Sequence, residues 1–283
     1  MSSLKEIKER IASVKSTLKI TSAMKLVSSA KLHQTSRRLP PLKAFNQEIE
    51  TGLSVLGADS RFCSSQEKGR TTLIVFSSNA SLCGSFNANM LKTALNALKD
   101  NPDAQIFCIG KHVADSLTRA GYKVEKTFHE LMDKPDYAAV SALADSLMTD
   151  YCQGQCSKVL LVYPEYCSAS KQVPTVATYL PVPTDVILSE RQRVERSVLE
   201  DYLVEPQLET LRRELTVKHL KTKLYAALVD AILSQHAARM IAMQTASDNG
   251  EKILADLTLE YNKSRQAKIT AEILDLAGGS QQE

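Results

Sequence analysis

The chain has 283 residues, of which 43% are apolar and 24% are charged, an ordinary composition for a soluble protein with one or two packed domains. Only 5% of the residues are aromatic and none is tryptophan, which favours long helices over an all-β fold. The net charge of +3 identifies no partner, but residues 1–38 contain nine lysines or arginines and only two acidic residues. The N-terminal segment is therefore locally basic.

Six cysteines lie between positions 63 and 167, in a chain too large to need a disulfide framework, and we expect a reducing compartment. No apolar run approaches the roughly 20 residues that cross a bilayer. The first residues, MSSLKEIKER, have neither the apolar core of a signal peptide nor the Arg and Ser bias of a transit peptide. We therefore expect the chain to reach a membrane only through partner chains.

The N-terminal segment has the pattern of a coiled-coil helix. Five apolar residues follow spacings of three, four, three and four, namely Leu4, Ile7, Ile11, Val14 and Leu18. This seam predicts a helix that packs on another helix. The predicted seam continues with the smaller or more flexible residues Met24, Val27 and Ala30. Pro40 and Pro41 should then end or kink the helix.

Between about residue 70 and residue 182 the pattern changes to alternating strands and helices. The predicted strands are 71–78, 105–110, 157–163 and 172–180, and the predicted helices are 88–99, 111–120 and 136–151. The first three strands are apolar enough to be buried on both faces, which indicates a small α/β domain with a mostly parallel sheet. Prolines at 164, 174, 181 and 183 predict that the last strand lies at an edge and that a loop follows it.

From about Glu205 to Ala277 the pattern is helical again. About seventy helical residues measure roughly 105 Å, too long to pack on one small domain. An ordinary apolar face is formed by Leu208, Leu211, Leu215, Leu224 and Leu228, and a thinner face follows at Ala231, Ala238, Ala242 and Ala246. The motif SDNGEK at 247–252 is a turn signal that predicts a break, which long-range packing can override because a helical glycine costs only ~1 kcal/mol.

The two helical ends predict an antiparallel pair. The N-terminal seam needs a partner, and the C-terminal helix has sufficient length to be one. That helix is longer than the N-terminal one, so its last turns should project beyond the pair. These turns read YNKSRQAKITAEILDL, in which basic and polar residues surround Ile269 and Ile273.

The motif SSNASLCGSFN at 77–87 follows a predicted strand and precedes a helix, a place where phosphates often bind. It matches neither common phosphate-loop pattern and has no lysine at the helix start, which favours a structural turn. Cys152 and Cys156 have no second pair and no nearby histidine, which argues against a zinc site. The five histidines form no catalytic or metal-binding pattern. We expect no catalytic residue, no cofactor and no metal in this chain.

Several segments, in order, carry a resemblance to a known family. They are IASVKSTLKITSAMKLVSSAKL (11–32), LCGSFN (82–87), AARMIAMQTASDN (237–249) and LTLEYNKSRQAKITAEILDLAGG (257–279). Together they resemble the gamma subunit of the F-type ATP synthase of bacteria. The most specific signature is I-T-x-E-[IL], here formed by Ile269, Thr270, Glu272 and Ile273.

The resemblance implies a fold in which the terminal helices form an antiparallel coiled coil and a Rossmann-like α/β domain is inserted between them. The domains would be 1–56, 70–204 and 207–283, with the first and last forming the coiled coil. The implied protein is a non-catalytic rotor of the central stalk, at the cytoplasmic face of the bacterial inner membrane. It couples proton flow to ATP synthesis or hydrolysis at the beta subunits. Its partners would be the alpha and beta subunits, epsilon and the ring of c subunits.

The resemblance also implies contact residues for the beta subunits. Arg265 and Gln266 match positions that hydrogen-bond a loop of one beta subunit, and Arg has the fork of donors that such a contact needs. Thr270 and Glu272 match the same region. Further contacts at shaft positions are implied for Arg239, Met24 and Lys25. One departure from the family is the run Asn79, Ala80 and Ser81, where an Asp-Arg-Gly run is usual.

Two other functions are open from the residues alone. A basic coiled coil could bind nucleic acid through residues 1–38, and such binding would weaken steeply with salt. An α/β enzyme with helical arms would need a ligand site after its first strand, and the missing phosphate-loop residues argue against it.

Overall fold

The computed structural model describes residues 3–64, 69–182, 205 and 207–279, with side chains to residue 274 in the last range. The helices are α1 (Leu4–Ser36), α2 (Leu39–Leu56), α3 (Phe86–Asp100), α4 (His112–Arg119), α5 (Glu130–Asp133), α6 (Tyr137–Cys152) and α7 (Leu208–Gly279). The strands are β1 (Arg70–Phe76), β2 (Gln105–Ile109), β3 (Val124–Thr127), β4 (Cys156–Tyr166) and β5 (Gln172–Leu180), and a short 3-10 helix covers Ser60–Phe62. The loop predicted from Pro183 onwards lies outside the described residues.

The chain divides into two compact units. One unit is Ala30–Ala238, and the other joins Met1–Ser29 to Arg239–Glu283. The helices α1 and α7 each contribute residues to both units. The fold class is confirmed: an α/β sheet unit is inserted in the sequence between two long terminal helices, which pair antiparallel in the second unit.

The α/β unit is built on a five-stranded sheet in the order β3-β2-β1-β4-β5. β1 lies at the centre between β2 and β4, and these pairs are parallel, as is the pair of β2 with β3. β5 pairs antiparallel with β4, and the prediction of an edge strand at 172–180 is confirmed. β3 is missing from the sequence prediction because three of its four residues are exposed, so that it has no buried apolar run.

Both faces of this sheet are covered by helices, as the apolar runs of β1, β2 and β4 predict. On one face, Ile74 and Phe76 of β1 pack in a cluster with α6 and with the first half of α7. On the other face, Leu73 and Val75 pack with α3 and α4. Of the apolar face predicted on α7, Leu224 and Leu228 are fully buried in the first cluster, together with Leu220, whereas Leu208, Leu211 and Leu215 are half-buried.

The N-terminal helix ends at the place that the prolines predict. α1 stops at Ser36, and α2 begins at Leu39 with Pro40 and Pro41 in its first turn. A proline fits there because the first amides of a helix have no partner within the helix. The N–H of Arg38 instead donates to the carbonyl of Thr35 in the intervening turn.

The coiled-coil unit pairs α1 with the last part of α7. The inward side chains of α1 keep the heptad spacing of the predicted seam, from Leu4 through Ile7 to Leu18. The predicted continuation through Val27 and Ala30 is wrong, since both are exposed and the seam runs through the buried residues Thr21 and Ser28. The inward residues of α7 are Met240, Met243, Ser247, Gly250, Leu254, Leu257, Tyr261 and Ser264, at alternating spacings of three and four.

The small-residue face predicted on α7 is correct only in part. Ala231 is fully buried and Ala238 packs against the α/β core, but Ala246 is exposed. Ser247, the next residue, takes the inward position. The predicted break at 247–252 is absent, because α7 runs without interruption from Leu208 to Gly279.

Candidate functional site

Two contacts fix the pairing of the terminal helices. The hydroxyls of Thr21 and Ser247 lie 2.8 Å apart and are buried. A Cβ atom at Gly250 would lie 2.8 Å from Cδ2 of Leu18. In both pairs the residue numbers add to 268, so in the same register Leu4, the first residue of α1, lies opposite Ser264.

The final part of α7 therefore extends past the end of α1. Residues 265–279, which we call the projecting end, have no α1 residue opposite them in this register. Every described side chain from 265 to 274 is exposed. This agrees with the prediction that the last turns project beyond the pair.

The predicted contact residues Arg265, Gln266, Thr270 and Glu272 all lie on the projecting end. The Thr270 hydroxyl donates to the backbone carbonyl of Gln266 at 2.9 Å, and Nζ of Lys268 lies 3.8 Å from Oε1 of Glu272. The second contact is an exposed pair one helical turn apart, of a kind that stabilises a helix by only ~0.3–0.5 kcal/mol. These groups are thus available to a partner at little cost.

The projecting end also carries exposed apolar side chains. Ile269, Ile273 and Leu274 are 41%, 58% and 65% exposed. Ile269 and Ile273 lie one helical turn apart and therefore on one side of the helix. Together with Arg265 and Gln266 they give this end both apolar contact area and hydrogen-bonding groups.

The remaining predicted contact residues lie elsewhere in the coiled-coil unit. Met24 and Lys25 on α1 and Arg239 on α7 are all half-buried. Along α7, Arg239 and Arg265 are separated by about 39 Å at ~1.5 Å per residue. The structure thus places the predicted residues in two groups and does not bring them together in one site.

The sequence reasoning missed a set of exposed apolar residues outside the seam. On α1 and α7 of this unit these are Ile20, Leu26, Val27, Ile241, Ile253 and Leu259. The signal was available, because an apolar residue at a heptad position other than the two seam positions has no place in a two-helix core. Such residues extend the candidate contact surface along both helices.

The loop at 77–87 in the α/β unit is closed by its own hydrogen bonds. The Asn87 amide donates to Oγ of Ser78 at 2.8 Å, and Oγ of Ser78 donates to the Ala80 carbonyl at 2.8 Å. The Asn79 amide donates to the His129 carbonyl and to Oδ2 of Asp133. The polar side chains thus serve the loop and its neighbour α5, which supports the structural turn predicted from the sequence.

Among the described residues, no group of three or more His, Cys, Asp or Glu side chains is arranged to hold a metal ion. None of their helices combines the length and the apolar content that crossing a bilayer requires.

Solved structures with a similar fold include chains of mitochondrial ATP synthases. A chain in the OSCP/F1/c-ring structure of the Euglena gracilis enzyme matches with a TM-score of 0.72 at 20% identity, covering 98% of this chain and 93% of that one. A chain in the rotor structure of the same enzyme matches with a TM-score of 0.67 at 20% identity, over 94% and 98% of the two chains. At this identity the likeness concerns the fold.

The sequence comparisons are more specific. The family described as ATP synthase matches residues 3–281. The ATP synthase gamma chain of Bacteroides thetaiotaomicron is 41% identical over the full length of both chains, and that of Phocaeicola vulgatus is 40% identical over 99% of each. The chain therefore belongs to the ATP synthase gamma-chain family.

Proposed function

We propose that this chain is the central-stalk rotor of a proton-translocating ATP synthase. It couples proton flow through a membrane ring to ATP synthesis or hydrolysis by rotating against the subunits that carry the catalytic sites. The chain itself is non-catalytic. Besides membership of the gamma-chain family, the observation that supports the proposal is the projecting end. It consists of fifteen helical residues, and all of its described side chains are exposed.

The composition of the projecting end suits a rotating contact. A strongly apolar end would bind one neighbour tightly and hold one orientation, whereas mixed polar and apolar residues make several weak contacts in turn. Here Ile269 and Ile273 alternate with charged and amide side chains. Successive orientations of the shaft then favour successive conformations of the surrounding subunits, which is a shift of populations driven by differential contacts.

We assign the contact with the beta subunits to two groups of residues. In the first group, Arg265 and Gln266 hydrogen-bond a loop of one beta subunit, and Thr270 and Glu272 lie in the same contact. Arg265 is suited to this role because its guanidinium donates several hydrogen bonds in a fixed plane. The second group is Arg239, Met24 and Lys25. These residues lie nearer to the α/β unit in sequence and make a separate contact with the beta subunits.

The partners follow from this role. The alpha and beta subunits form the ring around the coiled coil, and epsilon and the c-subunit ring bind the α/β domain. This arrangement corresponds to domains at 1–56, 70–204 and 207–283. The complex lies at the cytoplasmic face of the bacterial inner membrane, where this chain is a peripheral subunit held by its partners.

A co-purification tests the assignment. The chain is tagged in its native host, the membranes are solubilised gently, and the recovered proteins are identified by mass spectrometry while ATP hydrolysis is assayed. Recovery of alpha, beta, epsilon and c subunits with ATPase activity is the expected result. Recovery of the chain alone, or with nucleic acid, would show that it has another function.

The double variant Arg265→Ala/Gln266→Ala tests the contact itself. We expect weaker ATP-driven proton pumping for each ATP hydrolysed, since the variant lacks the hydrogen bonds that orient the beta-subunit loop. The α/β unit should stay folded because both residues are exposed and lie outside it. Proton pumping is followed by the quenching of a pH-sensitive dye in membrane vesicles, alongside the rate of ATP hydrolysis.

The matched control is Lys92→Ala/Asn96→Ala, which also removes one cation and one amide from an exposed helix face, here on α3. This control should leave both proton pumping and hydrolysis unchanged. Unaltered pumping by the Arg265→Ala/Gln266→Ala variant would remove these two residues from the contact. The nucleic-acid alternative is not favoured, because the whole chain matches ATP synthase gamma chains.

A further inference from the structure

Within the coiled-coil unit, the apolar layers of the seam do not by themselves define how the two helices align; in the α/β unit, Leu32 of α1 packs against Leu39, Val229 and Leu233. On α1 the seam begins with Leu4, Ile7, Ile11 and Val14, and opposite them α7 presents residues such as Leu254, Leu257 and Tyr261. Apolar side chains at heptad positions can exchange one partner for another when a helix slides by seven residues. Sliding of this kind would move one helix by about 10.5 Å along the other.

Two consecutive layers of the seam differ from the rest. In one layer the buried hydroxyls of Thr21 and Ser247 face each other at 2.8 Å. In the adjoining layer Leu18 packs beside Gly250, where a Cβ atom would lie 2.8 and 3.2 Å from Cδ2 and Cγ of the leucine and would force its side chain to shift. We call Leu18, Thr21, Ser247 and Gly250 the register residues.

A slip by one heptad in either direction disrupts these layers. If the paired numbers add to 275, Thr21 faces Leu254 and its hydroxyl loses the partner that it has on α7, while Ser247 faces the buried Ser28. If they add to 261, Thr21 faces Met240 and Ser247 faces Val14, so that neither hydroxyl has its present partner. The Thr21 hydroxyl also donates to the Leu18 carbonyl of its own helix at 3.1 Å, so a slip removes the hydrogen bond between the helices and leaves that one in place. One buried polar layer of this kind is known to select a single alignment in coiled coils.

Gly250 adds a steric selection to this polar one. In the observed register the Leu18 side chain occupies the space that a side chain at position 250 would fill. After either slip Leu18 would face Met243 or Leu257, whose side chains occupy that space. Gly250 also explains why a turn-like SDNG motif lies inside a continuous helix, because the missing side chain is what the close packing requires.

We propose that the register residues are positioning residues of the rotor, which set the axial alignment of α1 and α7. This inference rests on the proposed function. The alignment determines how far the projecting end extends past Leu4, and hence whether Arg265 and Gln266 reach their contact while Met24 and Lys25 reach theirs. A slip of one heptad would displace Met24 and Lys25 on α1 by two helical turns relative to the contact residues on α7.

Disulfide trapping in the purified full-length chain tests the alignment without any partner. The pair Ile11→Cys with Leu257→Cys adds to 268 and should cross-link on oxidation. The pair Ile11→Cys with Ser264→Cys adds to 275 and should not, because a shift of ~10.5 Å exceeds the Cα separation of about 7 Å that a disulfide spans. The products are identified by peptide mass spectrometry, which distinguishes them from the six native cysteines between 63 and 167.

The alignment is then challenged with Thr21→Val/Ser247→Ala/Gly250→Leu. We expect a loss of the 11–257 cross-link and a gain of the 11–264 cross-link. Thr21→Val/Ser247→Ala adds no bulk and should give a smaller shift of the same kind, which covers the case in which Gly250→Leu prevents folding. Thr21→Ser keeps the hydroxyl and should leave the wild-type pattern. An unchanged pattern in the first two variants would overturn the proposal.

The functional part is measured in the assembled complex. We expect the triple variant to hydrolyse ATP with a loss of proton pumping per ATP, and the Thr21→Ser control to behave as wild type. A slipped alignment with full pumping would overturn the positioning role. Failure of the proposed function would look different, because the co-purification would then lack alpha and beta subunits while the cross-linking result would still stand.

Discussion

Asp230 is a single residue whose charge opposes folding. It lies on α7 in the α/β unit with its side chain 6% exposed, and Nζ of Lys43 on α2 is 3.4 Å from its Oδ2. Burial raises the pKa of Asp230 from 3.8 to about 6, and the nearby Lys43 offsets only part of this effect. The raised pKa means that the folded chain binds this proton more tightly than the unfolded chain does, so stability falls as the pH rises from about 3.8 to 6.

Asp230→Asn should therefore stabilise the α/β unit at pH 7, by about 1–2 kcal/mol. From the size of the pKa shift, the charge of Asp230 destabilises the folded state by at most ~3 kcal/mol at pH 7. The variant gains less than this because it also loses the attraction to the partly exposed Lys43. Near pH 4 the variant and the wild type should be equally stable. Urea unfolding followed by the near-ultraviolet circular dichroism of the buried Tyr151 and Tyr179 measures this, with the exposed Asp256→Asn as control. Equal stabilities at pH 7 would contradict this account of Asp230.

His219 has the opposite effect in the same range of pH. Its side chain is 3% exposed, and burial together with the charge of Lys223 lowers its pKa from 6.5 to about 4. It is therefore neutral at pH 7, and its 3.9 Å approach to Glu50 is then no ion pair. The unfolded chain takes up this proton first, so stability is lost as the pH falls from about 6.5 to 4.

His219→Gln should remove this loss, which amounts to as much as ~3 kcal/mol between those pH values. The same urea titrations at pH 7 and pH 4.5 measure it. The expected result is a smaller acid-dependent fall than in the wild type, and the exposed His33→Gln on α1 is the control. An equal fall in His219→Gln and wild type would show that His219 is not the cause. Because Asp230 and His219 oppose each other, the two single variants should shift the pH dependence of stability in opposite directions: His219→Gln lessens the loss on acidification, and Asp230→Asn increases it.

At the scale of elements, the long apolar runs and heptads were sufficient to predict most of the structure. β1, β2 and β4 were found because strands buried on both faces have continuous apolar sequences. β3 and the four-residue helix α5 were missed, since neither has an apolar pattern long enough to be distinguished from a loop. The two prolines predicted the boundary between α1 and α2 because their effect on a helix is local.

The motif SDNG shows the limit of local reasoning. An Asn-Gly pair predicts a turn, but Gly250 lies in a continuous helix because Leu18, more than 200 residues away in sequence, occupies the space beside it. A contact between residues so distant in sequence leaves no local pattern. Ser28 in place of Val27 is a different case, because Thr21 and Ser28 continue the heptad spacing that runs from Leu4 to Leu18 and only their polarity concealed them. The projecting end could be predicted, but the residues that set its length could not.

At the scale of the whole molecule, the projecting end should be separable from the fold. A chain that stops after Ser264 lacks the projecting end, which has no α1 residue opposite it, and we expect its thermal unfolding by far-ultraviolet circular dichroism to match that of the full chain. Its assembled complex should show reduced proton pumping per ATP hydrolysed.

A chain that stops after Asp256 is the contrasting variant. It also lacks Leu257, which is buried, and Tyr261, which is half-buried in the seam, so the coiled-coil unit should unfold at a lower temperature. If the chain that stops after Ser264 unfolded at a temperature as low as that of the chain that stops after Asp256, the projecting end would contribute to folding after all.

The register of the coiled coil also sets when the molecule can complete its fold during synthesis. Leu4 lies opposite Ser264, so the seam of α1 leaves the ribosome before any of its partner residues exist. The inward residues of α7 in this unit begin at Met240, and a ribosome that adds about 5–20 residues per second reaches them roughly 12–50 s later. For that time the apolar residues of α1 are exposed to other nascent chains. Because its seam includes Thr21 and Ser28 in place of two further leucines, α1 exposes less apolar surface to which other chains can bind during this interval.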